Sequence, residues 1–217
     1  WESGTVRELR ETTPTGSLER RFAADGVKLR EVQWLAVGEP AAAAGARPRS
    51  VKVLEQEFHT SGTLVHETRW RAGERGAELV AEARWYLNGQ LKERSEIVEA
   101  GGVRTRRDTS YHDNGKPSFE GSRRLASAGE RADLAVGVHK GFDETGRLRR
   151  ESVYDERGRI TRERVFDESG ALLRDDEVFE DGSRKSTNAP PTSGTSPILP
   201  CTRTRCPARI PAGIDAS

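Results

Sequence analysis

FDETGRLRRESVYDERGRITRERVFDESGALLRD, residues 142–175, decides the fold. Phe142, Tyr154 and Phe166 recur at intervals of 12 residues, and each opens the same phrase: FDETG, YDERG, FDESG. An aliphatic residue follows two positions after each glycine: Leu148, Ile160, Leu172. A fixed period marks a repeat architecture. Looser copies lie upstream as FAADG at 22–26, FHTSG at 58–62, WYLNG at 85–89 and YHDNG at 111–115, and a shortened one, FEDG, follows at 179–182.

Asp-x-x-Gly after an aromatic is turn chemistry, because Asp bonds its own backbone two residues on and Gly accepts a positive φ. Roughly eight residues remain between turns, enough for a strand of ~26 Å at ~3.3 Å per residue but only a marginal two-turn helix. Such short connections exclude parallel crossovers, so the expected fold is all-β: an elongated, single-layer antiparallel meander of repeated hairpins.

Charge specifies a register. With Asp155–Gly158 as a four-residue loop, Tyr154 faces Arg159 and Val153 faces Ile160. Arg150–Glu163–Arg174 then forms a ladder on one face and Glu151–Arg162–Asp175 another on the opposite face, with Arg149 against Arg164 as a mismatch. Opposed opposite charges contribute ~0.2–1 kcal/mol each, and a one-residue slip would send every side chain to the other face.

Composition agrees with one wet layer. The 217 residues are 33% hydrophobic and 33% charged, with mean hydropathy −0.77, against roughly 45–50% and 25% in average domains. That is too little apolar side chain for a two-layer sandwich of this length, whereas long Arg stems can cover apolar patches of a single sheet. Arg outnumbers Lys thirty to six. The net charge is +1 with acids and bases interleaved, so no electrostatic footprint for nucleic acid or a membrane surface arises. No apolar run reaches the ~18 residues of a spanning helix. The chain opens at Trp1 and contains no Met. A signal peptide removed before Trp1 would place it in the periplasm or outside the cell; without one the expected compartment is the cytoplasm.

One β-repeat domain is expected over 1–186, with insertion loops near 38–50 (GEPAAAAGARPRS) and 121–137 (GSRRLASAGERADLAVG). Asn88-Gly89 and Asn114-Gly115 are hairpin signals. From Ser186 the composition turns to Ser, Thr and Pro without periodicity, and 187–217 is expected to be a disordered tail.

WYLNGQLKE at 85–93 and YHDNGKPSFEG at 111–121 resemble the variant MORN repeat of bacterial YwqK-like antitoxins, which reads aromatic-x-x-Asn-Gly-x-Leu. The resemblance covers 50–122 and 138–185, with traces at 1–35. It implies an elongated sheet of successive hairpins acting as a scaffold or protein-binding module, in some members presumed to neutralise a toxin. The C-terminal repeats carry Asp-x-x-Gly in place of Asn-Gly and so also resemble the YD repeats of Rhs-type toxin shells.

No catalytic, cofactor-binding or metal-binding residues are expected. His59, His66, His112 and His139 lack zinc-ligand spacing; only His59 and His66 flank one turn. Cys201 and Cys206 stand alone in the tail, where they could close a small loop. Every carboxylate that can be placed has a cation opposite, whereas acid–base work wants a carboxylate in an apolar pocket. Ser61-Gly62 and Ser169-Gly170 are turn residues with no strand-to-helix context. Among Trp34, Trp70, Trp85 and Tyr86, the last three are the expected partner-binding residues, since a thin sheet leaves aromatic surface exposed and Trp and Tyr anchor interfaces. The expected function is a non-enzymatic protein-binding or scaffold protein, antitoxin-like by resemblance. The alternative is a structural fragment of a secreted or cell-envelope YD-repeat protein.

Overall fold

The structure, a computed structural model, describes residues 7–37, 49–74, 76–127 and 132–187. Fourteen strands lie in chain order in one sheet: β1 (Glu8–Thr13), β2 (Gly16–Phe22), β3 (Lys28–Val37), β4 (Arg49–Phe58), β5 (Leu64–Gly73), β6 (Gly76–Trp85), β7 (Leu91–Ala100), β8 (Val103–Tyr111), β9 (Pro117–Arg124), β10 (Leu134–Phe142), β11 (Leu148–Tyr154), β12 (Ile160–Phe166), β13 (Leu172–Val178) and β14 (Arg184–Ser186). Each pairs antiparallel with its chain neighbours, and there is no helix among the described residues. The all-β meander read from the 12-residue period is the fold observed.

Eight turns share one construction. In the turn after β11, Gly158 N–H donates to the Asp155 carbonyl (3.0 Å) and Asp155 N–H donates to the Arg159 carbonyl (2.9 Å). This is a type I turn followed by a left-handed residue, a three-residue loop. The same pair of bonds closes the turns at Gly26, Gly62, Gly89, Gly115, Gly146, Gly170 and Gly182, with φ of 77–88° at the eight glycines. Asp155 Oδ1 accepts from the N–H groups of Arg157 and Arg159, and Asp143 and Asp167 do the same in their loops. FEDG is not shortened: Phe179 occupies the Asp position of the phrase, and Val178 stands where the aromatic does elsewhere.

The observed register corrects the one expected from charge by two residues. Glu151 faces Arg164, not Arg162, and Val153 faces Arg162, not Ile160. One residue of the offset comes from the loop, which is three residues long instead of four. The other comes from a bulge found beside seven of the eight turns (all but the β13–β14 turn), here between Val153 and Tyr154. An even offset preserves the faces. The two ladders therefore keep their members while their rungs become diagonal, and the Arg149–Arg164 mismatch disappears because Arg164 lies opposite Glu151.

The insertion expected at 121–137 is shorter than that: β9 runs on to Arg124 and β10 starts at Leu134. The one expected at 38–50 is bounded by Val37 and Arg49, and 38–48 lie outside the described residues, as does the tail from 188 onward.

Burial is greatest along the midline of the sheet, where long side chains from both neighbouring strands close over a residue. The only buried apolar residues among those described are Val32 and Val51, while Glu31, Ser152, Glu163, Asp175 and Asp176 are equally buried. Arginines satisfy these acids. Glu163 receives Arg150, Arg174 and Arg184, and Asp175 receives both ends of Arg162 at 2.7 and 2.6 Å. The hydrogen bond from Arg184, with those of Arg150, holds the Glu163 carboxyl below its ordinary range against the opposing effect of burial. Asp175 is lowered in the same way, chiefly by Arg162. Charge-assisted bonds thus take the place of an apolar core.

Candidate protein-binding face

Following directly opposed residues across the sheet gives one unbroken row: Arg20, Glu31, Gln56, Glu67, Ala83, Arg94, and on through Thr109, Glu120, Lys140, Glu151, Arg164 to Asp175. All point to one face, here the first face. Two residues further along every even strand from β2 to β12 stands an aromatic: Phe22, Phe58, Trp85, Tyr111, Phe142, Phe166. Side chains two apart in a strand share a face. The six aromatics therefore form a file at one end of the first face, all half-buried. Between them, from the odd strands, come Leu64, Leu91 and Leu148, each the register partner of the preceding aromatic. At the β2 end the partner of Phe22 is Lys28, whose ammonium lies 4.3 Å from the Phe58 ring centroid, so the apolar stripe proper runs from Phe58 to Leu172, ten strands or ~43 Å at ~4.8 Å spacing.

Neighbouring turns at that end are tied to one another. Asn88 Nδ2 donates to the Asp113 carbonyl (3.0 Å), Asn114 Nδ2 to the Glu144 carbonyl (2.7 Å) and an Arg147 nitrogen to the Glu168 carbonyl (2.6 Å). Tyr86 Oη donates to the Tyr111 carbonyl at 2.9 Å. An Asn side chain is short, so these bonds hold successive turns close to two strand spacings apart. The Asn-Gly pairs that read as hairpin signals have this second role, which sequence alone does not disclose.

The three expected partner-binding residues do not form one cluster. Trp85 lies in the stripe, and Tyr86 follows it in the turn with Lys92 over its ring (5.6 Å to the centroid). Trp70 is two residues beyond Thr68, which belongs to the opposite face, and it pairs with Leu79, six residues along β6 from Trp85. Lys52 covers its ring at 4.3 Å. Trp34, in register with Lys52, shares that second face. Sequence reasoning missed that Phe22, Phe58, Tyr111, Phe142 and Phe166 share a face with Trp85. The signal is parity: in a meander, alternate turns fall at the same end, so phrases 24 residues apart, as Phe142 and Phe166 are, coincide. Tyr154 and Val178 belong to the other end and the second face, two residues on from Ser152 and Asp176.

Beside Trp85 the stripe opens into a depression of about 320 Å³ lined by Glu67, Arg69, Ala81, Ala83, Leu91 and Arg94 among others. Its floor is β6, where Ala81 and Ala83 stand between longer residues of β5 and β7. Arg69 pairs with Glu67 (2.6 Å) and Arg94 with Glu96, so the walls are charged but internally neutralised.

The histidines have structural partners. His59 Nδ1 bonds Ser61 Oγ at 3.0 Å, while His66 sits between Glu82 (3.0 Å) and Glu57 (3.6 Å). His139 packs between Phe119 and Tyr154 over Gly121. Among the described residues no group of three or more His, Cys, Asp or Glu is placed to hold a metal ion, and no helix is long and apolar enough to cross a membrane. Cys201 and Cys206 lie outside the described residues. Comparison with models of known protein families and with curated proteins finds no match to this chain.

Proposed function

We propose that the chain is a non-enzymatic protein-binding scaffold that docks a protein partner on the first face of its sheet. The observation that carries this reading is the apolar stripe from Phe58 to Leu172, an aromatic file left partly exposed on a sheet with no second layer among the described residues. Contiguous exposed apolar surface marks interaction sites, and Trp and Tyr dominate binding hot spots. Trp85, with Leu91 and the depression beside them, forms the centre of the docking area, and Tyr86, next in the chain, is tied by its hydroxyl to the Tyr111 carbonyl. Trp70, stacked under Lys52 on the other face, is peripheral to it. The likeness of residues 85–93 and 111–121 to variant MORN repeats makes an antitoxin-like role, covering and neutralising a toxin, the biological form to examine first.

The test is affinity capture from a host extract with the wild-type chain and with Trp85→Ala. Proteins retained by the first and lost by the second, identified by mass spectrometry, are the expected result. Identical captures would overturn the reading. A second reading, a structural fragment of a YD-repeat shell, is favoured by the four successive phrases at 142, 154, 166 and 178, whose turns are closed by the same pair of bonds. It would be supported by a native gene with many more such repeats and by captures that do not depend on Trp85.

A further inference from the structure

We propose that the open edge of β1 pairs with itself: two copies of the chain join antiparallel along it, about a two-fold axis at Leu9, and one sheet runs through both. Among the described residues β1 pairs only with β2. All six of its residues are exposed, and Leu9 is one of the exposed large apolar side chains. The backbone sets which residues can bond outward. Phe22 N–H donates to the Arg7 carbonyl at 2.9 Å, one step beyond the pairing of Glu8 with Arg21, and the register of β1 on β2 has no shift. Opposed residues of an antiparallel ladder alternate between bonded and unbonded pairs. Arg7, Leu9 and Glu11 therefore turn their backbone groups to β2, while Glu8, Arg10 and Thr12 present theirs at the open edge. Such a row is a template for another strand.

Charge selects the occupant and the register. The stretch Arg7-Glu8-Leu9-Arg10-Glu11 is complementary in charge to its own reversal. A two-fold antiparallel pairing sets outward residues against outward residues only when its axis falls on a residue. With the axis on Leu9, Glu8 and Arg10 oppose Arg10 and Glu8 of the second copy as bonded pairs. Arg7 and Glu11 oppose its Glu11 and Arg7, and Leu9 meets its counterpart. An axis on Glu8, Arg10 or Glu11 would set that charge against itself, which destabilises, and an axis on Thr12 engages no charge pair. Within the chain these side chains are held loosely: Arg10–Glu19 is 3.5 Å, Glu11–Arg20 3.8 Å and Glu8–Arg21 3.9 Å, all longer than charge-assisted hydrogen bonds. The opposite edge, β14, has three residues and begins Arg184-Lys185, so it offers no such self-complement. An isologous contact closes at two copies, whereas a head-to-tail contact would run on. Both faces of the sheet stay open in this pairing, so the inference does not rest on the protein-binding reading.

The test is a charge exchange in the full chain, read by sedimentation equilibrium. Wild type should show a reversible monomer–dimer equilibrium at concentrations up to ~1 mM, the weak end of specific association, and added salt should weaken it because the pairs are exposed. Glu8→Arg and Arg10→Glu each set like charges opposite one another twice across the axis, and each alone should weaken self-association by about tenfold or more. An equimolar mixture of the two variants restores both pairs as Glu against Arg and should associate about as tightly as wild type, which separates lost contact from lost fold. Leu9→Cys, in a chain also carrying Cys201→Ser and Cys206→Ser, should oxidise to a covalent dimer, since directly opposed unbonded residues lie within disulfide reach. Thr12→Cys in the same background stands ~20 Å from its counterpart and should not. A wild-type monomer throughout, self-association unmoved by either charge reversal, a mixture that stays monomeric, or mass that grows beyond the dimer would each overturn the proposal. Cross-linking at Thr12 in place of Leu9 would overturn the register. Dimerisation that appears only after deletion of residues 1–6 would give the edge to the chain's own N-terminal residues and overturn the proposal as well.

Discussion

Replacing Gly158 and Gly170 by alanine separates two effects that usually arrive together. Both glycines hold the left-handed position of the same turn, at φ +77° and +88°. An L residue in this region costs ~1–2 kcal/mol, offset by ~0.4–1 kcal/mol because alanine narrows the unfolded ensemble. At Gly170 an added Cβ meets nothing within 4 Å, so Gly170→Ala should destabilise by about 1 kcal/mol. At Gly158 the Cβ would lie 3.3 Å from both Cβ and Cδ2 of Leu134 and 3.6 Å from the Ala135 carbonyl oxygen. Leu134 starts β10 and must give by a few tenths of an ångström. Crowding of this kind costs ~1–3 kcal/mol in cores and falls at the low end for a half-buried neighbour. Gly158→Ala should therefore lose about 2 kcal/mol, and Gly158→Val more, since a β-branched residue is a backbone outlier there. For a chain of this length these losses correspond to melting-temperature drops of ~2–4 °C per kcal/mol. Urea denaturation followed by far-UV circular dichroism measures them, with Arg157→Val at an exposed loop position as the control, expected within about 0.5 kcal/mol of wild type. Wild-type midpoints for both glycine variants would refute the left-handed turn. A Gly170→Ala loss equal to or above that of Gly158→Ala would refute the Leu134 contact.

Three further outcomes are expected. Because Glu163 and Asp175 have folded-state pKa values below their ordinary 4.5 and 3.8, their contribution is complete above those values and is lost as pH falls through the lower folded ones; denaturation midpoints should drop in that acid window, and Glu163→Gln should flatten the drop while costing about 2 kcal/mol at neutral pH, less than for a fully buried pair because its arginines are partly exposed. Truncation after Thr187 should leave the melting temperature unchanged, since Thr187, whose N–H and Oγ1 both donate to the Asp175 carbonyl, is retained; a large drop would show that the sheet depends on later residues. Asn114→Ala should lose about 1 kcal/mol with its bond to the Glu144 carbonyl and raise amide exchange in both the 112–116 and 143–147 turns, and exchange confined to its own turn would refute the tie between them.

What was legible in the sequence was local. Asp-x-x-Gly forms its turn from chemistry within five residues, so the positions of Gly146, Gly158 and Gly170, the strands between them and the antiparallel order follow without reference to distant parts of the chain. Side-chain alternation has period 2, so membership of the two charge ladders survived an error of two residues in register. Tertiary structure decided what depends on counting across strands. The true rungs, such as Glu151 against Arg164, require the loop length and the bulge beside the turn between Val153 and Tyr154, and both are settled by how backbone bonds close between strands. The phase of Trp85 was readable, but that Phe22, Phe58, Tyr111, Phe142 and Phe166 line up with it, and that Trp70 turns to the other face, depends on which end of the sheet each turn reaches and on the register that sets Glu67 against Ala83. A bulge is a choice of pairing made jointly by two strands, and neither strand carries it alone.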